Sequence, residues 1–174
     1  MKKRIITIVA LTVTALGYSG TGFAIASNIA TANATATIQS AISIEKAATD
    51  GDLAFGIIIP DATGGIIVID PNGDRSTTSL LSLIGTIHHA ATFEVTGAPT
   101  TSYLITLPQG TITISDGNGN SMPVGEWTCS DANLTLSTNV NGVSSFTVGG
   151  SLGVSANQVD GVYTGTFDVT VAYN

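Results

Sequence analysis

Apolar and polar residues alternate over a long stretch near the start of the chain. In "ATANATATIQSAISIEK" (residues 30–46), the even positions up to 44 are apolar or small, and the odd positions are mostly Thr, Asn, Gln or Ser. A period of two predicts a β-strand with one face towards a core and the other towards water. At about 3.3 Å per residue, fifteen residues would span about 50 Å, which is two to three times an ordinary strand.

Short alternating runs separated by turn residues fill the rest of the chain. Between them lie "DPNGD", "DGNGN", "NVNG" and "NQVDG", which favour hairpins and tight connections. This spacing predicts a single all-β domain, a sandwich or barrel. Residues 79–91 are interpreted as a strand, although they could also hold a helical turn. The other predicted strands are residues 53–59, 65–70, 91–96, 102–107, 111–115, 133–137, 145–150, 151–155 and 162–173.

The last of these runs has one apolar and one polar face. Its apolar row consists of Tyr163, Phe167, Val169, Val171 and Tyr173. A long strand with an apolar face and an unpaired edge is an aggregation hazard unless another strand adds to it. This row is therefore the candidate acceptor edge for an additional strand.

The first residues have the pattern of a secretory signal peptide. Residues 1–4 are basic, residues 5–16 form an apolar run, and Ala24 and Ala26 offer a small-x-small cleavage site. The apolar run is short for a membrane span. We expect cleavage after Ala26, export through the Sec pathway and no membrane span in the mature protein.

Cleavage would free an N-terminal arm over residues 27–35, followed by a β-sandwich domain over residues 36–174. The stretch "ATIQSAISI" (36–44) carries the large side chains, so the domain's own first strand is predicted there. The arm's partner is expected to be the acceptor edge, either in the same molecule or in the next. Deeper exchange would add Ile42 and Ile44 as anchors. The candidate donor residues are Ile29, Ala32, Ala34, Ala36 and Ile38.

The mature chain would be strongly acidic. Without the three basic residues of the signal, Lys46 and Arg75 stand against twelve acidic residues, which gives a net charge of −10. Nucleic acids and anionic membranes attract basic patches, so neither is an expected partner.

Nothing in the sequence favours catalysis or a cofactor. His88 and His89 are adjacent and would point to opposite faces of a strand. A zinc-protease motif and a phosphate-loop motif are absent. Cys129 is the sole cysteine; it is interpreted as a small buried residue beside Trp127, with pairing to another molecule as the alternative.

Two loops begin like a calcium-binding loop. They supply Asp70, Asn72 and Asp74, and Asp116, Asn118 and Asn120. Both lack the glycine and the twelfth-position glutamate that complete such a loop. Because tight turns also require Asp, Asn and Gly, plain turns are the preferred interpretation and calcium is the weaker one.

Three stretches carry a family resemblance: the alternating arm leading into "DLAFG" (52–56), "FEVTGAPTTSYLITLP" (93–108), and the Gly-x-Tyr-x-Gly-x-Phe-x-Val-x-Val-x-Tyr run that closes the chain. Together they resemble the secreted bacterial family called domain of unknown function 4402. More distantly, the chain is similar to the spore-coat-U-like subunits of archaic chaperone–usher pili. Unlike those pilins, it has no cysteine pair for their usual disulfide.

The resemblance implies an immunoglobulin-like antiparallel β-sandwich that lacks a strand and receives one from the next subunit. It implies a non-catalytic fibre subunit that assembles head-to-tail with itself or with related subunits. A periplasmic chaperone and an outer-membrane usher would then be its partners, and the cell surface its destination. The alternative is a self-contained secreted β-sandwich that acts as an adhesin or as a carbohydrate- or matrix-binding module.

Overall fold

The structure, a computed structural model, describes residues 28–174. The predicted signal peptide (residues 1–26) lies outside the described residues. The chain divides after Thr37. Residues 28–37 are exposed and have no regular secondary structure, whereas Ile38–Asn174 form a compact unit. None of the described residues forms a helix long and apolar enough to cross a membrane.

Antiparallel strands build the compact unit. Their order along the chain is β1 (Ser43–Lys46), β2 (Ile57–Ile59), β3 (Gly65–Ile69), β4 (Arg75–Thr77), β5 (Ser82–Ile84), β6 (Ala91–Thr96), β7 (Ser102–Thr106), β8 (Ile112–Ser115), β9 (Ser121–Cys129), β10 (Thr135–Ser137), β11 (Val143–Val154) and β12 (Thr170–Tyr173). The predicted all-β, antiparallel, sandwich-like fold is confirmed.

Strand β11 is the central strand of a seven-stranded sheet. Its first half pairs with β6 and its second half with β3, while β1 and β4 lie outside these two. Val148 pairs with residues of both β6 and β9, and Leu152 with residues of both β3 and β9. Strand β9 therefore lies on the opposite edge of β11, with β8 beyond it.

A bulge divides this sheet into two parts. The register between β9 and β11 shifts between Gly149 and Ser151, and Glu126 in β9 adopts a φ of 49°. Such an extra residue bends the strand and increases its local twist. The sheet therefore has two inner surfaces, and each carries its own core cluster.

Two smaller sheets cover these surfaces. The three-stranded sheet β10-β7-β12 contributes Tyr103 and Ile105 to a cluster with Val95, Phe146 and Val148 (the second cluster). The two-stranded sheet β2-β5 packs Ile58 and Leu83 against the other cluster (the first cluster). The buried residues of the first cluster are Ile67, Leu81, Met122, Val124, Leu152 and Val154.

Most of the predicted strands are present. Residues 91–96 form β6 as predicted, and residues 145–155, predicted as two runs, join into the single strand β11. Residues 79–91 contain no helical turn; they hold β5 and an isolated bridge from His89 to Ala54.

Three expectations about strands were wrong. The domain's first strand begins at Ser43, because residues 36–42 have no neighbouring strand within residues 28–174 to pair with. The closing run is a paired strand only over residues 170–173. Strand β9 was missed because Pro123, Gly125 and the left-handed Glu126 interrupt its alternation.

Candidate functional site

An apolar groove of about 750 Å³ opens beside the first cluster. Its floor is the inner surface of β8, β9 and β11, where alternate residues point inwards. The floor residues are Ile112, Ile114, Met122, Val124, Leu152 and Val154. The chemistry of this surface favours an apolar occupant.

Two segments without long strands form the walls of the groove. One wall runs from Asp52 to Pro60 and includes β2, and the other runs over residues 158–167. Tyr163 fixes the second wall, because its hydroxyl donates to the carbonyl of Val159 (2.7 Å) and accepts from the Gln158 side chain (2.9 Å). The second wall meets the large sheet at one bridge, between Thr164 and Ser115 of β8, and the groove opens between the two walls.

Trp127 stands where the two core clusters meet, and its side chain packs against both. Its indole N–H donates to the carbonyl of Gly110 (2.8 Å), and its ring lies 4.7 Å from that of Phe167. Both rings line the groove. This tryptophan, the only one in the chain, therefore reports on what the groove contains.

The predicted acceptor residues all face the core. Tyr163 packs against the first cluster, and Phe167, Val169, Val171 and Tyr173 pack against the second. The residues between them, from Thr164 to Ala172, are exposed. The predicted facing of this row is therefore observed, although most of it is not a paired strand.

The middle of the closing run has an unpaired backbone. Thr164 exchanges two hydrogen bonds with Ser115 of β8, and residues 170–173 pair with β7. Between these points, residues 165–169 make no backbone–backbone hydrogen bond to any residue in the described chain. Their alternating burial is that of an extended strand. These residues form the unpaired edge.

Gly165 lets this unpaired edge approach β8 closely. A Cβ atom at this position would lie 2.8 Å from the Ile114 side chain and 2.9 Å from the Thr113 carbonyl oxygen. The glycine of the closing motif is therefore required by space at the groove wall.

The opposite end of the closing run holds the root of the N-terminal arm. The Tyr173 hydroxyl accepts a hydrogen bond from the backbone N–H of Ala98 (2.6 Å) and donates to the carbonyl of Ser40 (2.9 Å). Gln39 donates to Thr101 (3.4 Å). The chain is thus attached to the folded body from Gln39 onwards.

The predicted donor residues are presented to solvent. Ile29 is 82% exposed and Ile38 is 95% exposed, and the alanines at positions 32, 34 and 36 are exposed as well. Ile42 and Ile44, by contrast, pack against the second cluster of their own domain. Ile38 is therefore the last large side chain before Gln39, the first residue with a hydrogen bond to the rest of the domain.

The candidate calcium residues form two separate capped turns. One oxygen of Asp70 accepts the N–H groups of Asn72 and Asp74, and one oxygen of Asp116 accepts those of Asn118 and Asn120. The pKa of both carboxyl groups lies below the ordinary value of 3.8, chiefly because the Asp74 N–H donates to Asp70 and the Asn120 side-chain amide donates to Asp116. The geometry supports the turn interpretation, and residues 28–174 contain no group of three His, Cys, Asp or Glu side chains able to share a metal ion.

The remaining candidates are dispersed. The closest nitrogen of His89 lies 3.6 Å from a carboxylate oxygen of Asp50, while His88 keeps a buried ring nitrogen without a partner in the described chain. Cys129 is a free thiol, half-buried against the second cluster. The structure does not bring these side chains to the groove.

The fold and the groove together define an all-β, sandwich-like domain, and an exposed segment precedes it in the sequence. This chain belongs to the family described as domain of unknown function (DUF4402), whose model matches residues 42–173. No curated protein and no solved structure matches it. The family match begins where the chain first packs against its own core, so the candidate donor residues precede the family domain.

Sequence reasoning found the facing of the closing run but missed two parts of the site. The floor contributed by β9 was missed together with that strand. The wall at residues 52–60 was predicted only as a strand, with no indication of where it would lie. The signal that could have pointed to it is the apolar run "GIII" (56–59), in which Ile58 packs inwards while Ile57 and Ile59 are exposed apolar side chains.

Proposed function

We propose that this protein is a structural, non-catalytic subunit of a bacterial surface fibre, in which residues 28–38 of one copy insert into the groove of the next. The observation that carries the proposal is the unpaired edge over residues 165–169 beside an apolar groove. Such an edge favours strand addition: the backbone supplies hydrogen bonds, and alternate side chains supply register.

The exposed segment has the chemistry that the groove requires. Its alternate positions are alanine up to residue 36, and small side chains allow a backbone to lie close to a groove floor. Ile38 follows on the same face as the single large anchor. Burying this isoleucine would contribute roughly 1.5–3 kcal/mol.

The groove and the root of the arm lie at opposite ends of the domain. Tyr163 lines the groove, whereas Tyr173, ten residues later in the extended closing run, holds Ser40. At about 3.3 Å per residue the two ends are about 30 Å apart. Insertion between copies is then head-to-tail, and a head-to-tail contact that does not close produces a filament.

Insertion into the same molecule is geometrically poorer. The distance along the extended run from Tyr173 to Phe167, which lies at the near end of the groove, is about 20 Å. An arm of eleven residues would reverse its direction and spend about six residues on that distance. When the arm inserts into a second copy, none of its residues is needed to span this distance. We therefore propose exchange between copies.

The proposal includes the route to the surface. Export through the Sec pathway would deliver the subunit to the periplasm. A chaperone there would cover the groove, and an outer-membrane usher would exchange that chaperone for the arm of the next subunit.

The test uses Trp127 as the reporter. A protein lacking residues 28–38 is titrated with a synthetic peptide of residues 28–40 while tryptophan emission is recorded. We expect saturable binding and a shift of emission to shorter wavelength, because the inserted peptide removes water from the groove.

The matched control is the same peptide with Ala34→Asp and Ile38→Asp, which places charges on the face that would enter the groove. It should bind at least tenfold more weakly, since burying an unpaired carboxylate is costly. Equal responses to the two peptides, or none to either, would contradict strand insertion and favour the self-contained domain.

A further inference from the structure

We infer that neighbouring copies also touch through their folded bodies, at a contact between the rim of the groove and the turn beside the arm root. The rim is defined by Ile57, Val159 and Val162 of one copy. The turn is defined by Val140 and Val143 of the next copy. This inference rests on the proposed function, since it needs the arm to be in the groove.

The rim is apolar although it is exposed. Ile57, Val159 and Val162 all line the groove, and Val162 is 82% exposed. The β2–β5 sheet also turns Ile57 and Ile84 outwards as direct cross-strand partners. Exposed apolar side chains that cluster at one place mark interaction surfaces.

The turn at the other end is rigid and carries an apolar tip. Asn139 accepts the N–H groups of Asn141 (2.8 Å) and Val143 (3.1 Å) on its side-chain oxygen, and its own N–H donates to the carbonyl of Val143 (2.9 Å). Val140, at the tip, is 76% exposed. A turn held in this way presents its valine at little further entropic cost.

The short connection between arm and body brings these two surfaces together. Gln39 and Ser40 are attached to the body, so one residue, about 3.3 Å, separates Ile38 from it. Thr96 pairs with both Ser43 and Val143, which places the turn two strand spacings, about 10 Å, from the start of β1. With Ile38 in the groove, the turn lies against the rim.

Charge cannot hold two copies together at this contact. Lys46 and Arg75 are the basic residues of the described chain. Lys46 is paired with Asp52, and the Arg75 guanidinium donates to backbone carbonyls. Two acidic bodies repel each other at long range. The attraction at the contact therefore comes from the valine and isoleucine side chains.

The test is disulfide cross-linking between full-length chains in which Cys129→Ala has removed the native thiol. One chain carries Val140→Cys and the other Val162→Cys, and both are expressed together. The extracted oligomers are oxidised and separated without reductant. We expect a cross-linked dimer from the mixed pair and at most a tenth as much from either chain alone, because the contact joins two different surfaces.

The control replaces Val162→Cys by Glu94→Cys, on the exposed face of β6 and outside the groove lining. Oligomers that form without a cross-link above this control would overturn the body contact and leave the proposed function standing. The absence of oligomers in every sample would overturn the proposed function and this inference together. Strong cross-linking of Val140→Cys with itself would also overturn the contact, because it indicates a two-fold arrangement.

Discussion

At the scale of single residues, Gly165 is a position with little room for a side chain. We expect Gly165→Ala to lower the free energy of unfolding by about 1–3 kcal/mol, because the added Cβ meets the Ile114 side chain and a backbone oxygen of β8. This corresponds to a melting temperature lower by about 3–10 °C. Thermal and urea unfolding measure both quantities.

The closing motif contains its own control for this substitution. A Cβ atom at Gly161 would lie 3.4 Å from that of Asp116, an ordinary contact, so Gly161→Ala should change stability by no more than about 0.5 kcal/mol. Equal effects of the two alanines would show that backbone entropy, and not the space beside β8, explains the glycine at 165.

Asp116 makes the stability of the folded protein depend on pH. Its pKa lies below 3.8, first because the Asn120 side chain donates to it (2.6 Å) and then because the N–H of Asn118 does (2.8 Å). A carboxyl group with a lowered folded-state pKa contributes stability above its unfolded value, and this is lost as the pH falls through the folded-state pKa. We expect Asp116→Asn to melt below the wild type at pH 6.

The difference in melting temperature should shrink as the pH falls from 5 to 2, because protonation removes from Asp116 of the wild type the negative charge that asparagine already lacks. Melting temperatures of both proteins across this range test the prediction. A difference that stays constant with pH would show that Asp116 acts through turn shape and not through its charge.

At the scale of elements, the β2–β5 sheet depends on one side chain. The Arg75 guanidinium donates to the carbonyls of Phe55 (2.9 Å) and Gly85 (3.0 Å) and reaches those of Ile57 (3.5 Å) and Ile84 (3.3 Å). It thus bridges both strands from the start of β4. A lysine keeps the charge but loses the planar fork that serves several acceptors.

We expect Arg75→Lys to cost about 1–2 kcal/mol and to speed amide exchange in residues 57–59 and 82–84, with β6 and β11 unchanged. Lys46→Ala is the matched control. It removes the other cation, whose exposed pair with Asp52 is worth at most about 1 kcal/mol. Exchange that rises equally in all strands after Arg75→Lys would exclude a local role.

The alternation of apolar and polar residues predicted the facing of side chains well, but it predicted the pairing of strands less well. Residues 91–96 and the closing run face as their period requires, because facing is decided locally by the pleat. Residues 36–42 alternate equally well and yet pair with no strand of the described chain, since pairing depends on a neighbour that no local pattern encodes.

The groove could not be predicted from the sequence for a related reason. Its walls come from residues 52–60 and 158–167, which are about a hundred positions apart, and its floor includes a strand broken by proline and glycine. The role of Arg75 likewise depends on carbonyls ten to twenty residues away. Contacts of this kind arise from the topology of the chain. Periodicity and composition therefore predict the class of fold but not the position of the groove.

At the scale of the whole molecule, the two tyrosines of the closing motif connect its two ends. Tyr163 holds the groove wall and Tyr173 holds the arm root, so one extended run joins the groove to the root of the arm. In the proposed fibre, this arrangement would give every subunit the same orientation along the chain of copies.

Deleting residues 28–37 separates folding from assembly. These residues are exposed and precede the compact unit, so at high dilution the truncated protein should melt within about 2 °C of the full chain. At rising concentration the melting temperature of the full chain should climb by mass action, because a partner that binds only the folded state stabilises it, and that of the truncated protein should not. Calorimetry of both proteins over a hundredfold concentration range makes the comparison. A truncated protein that melts several degrees lower even at dilution would mean that the arm completes its own domain, and assembly between copies would lose its basis.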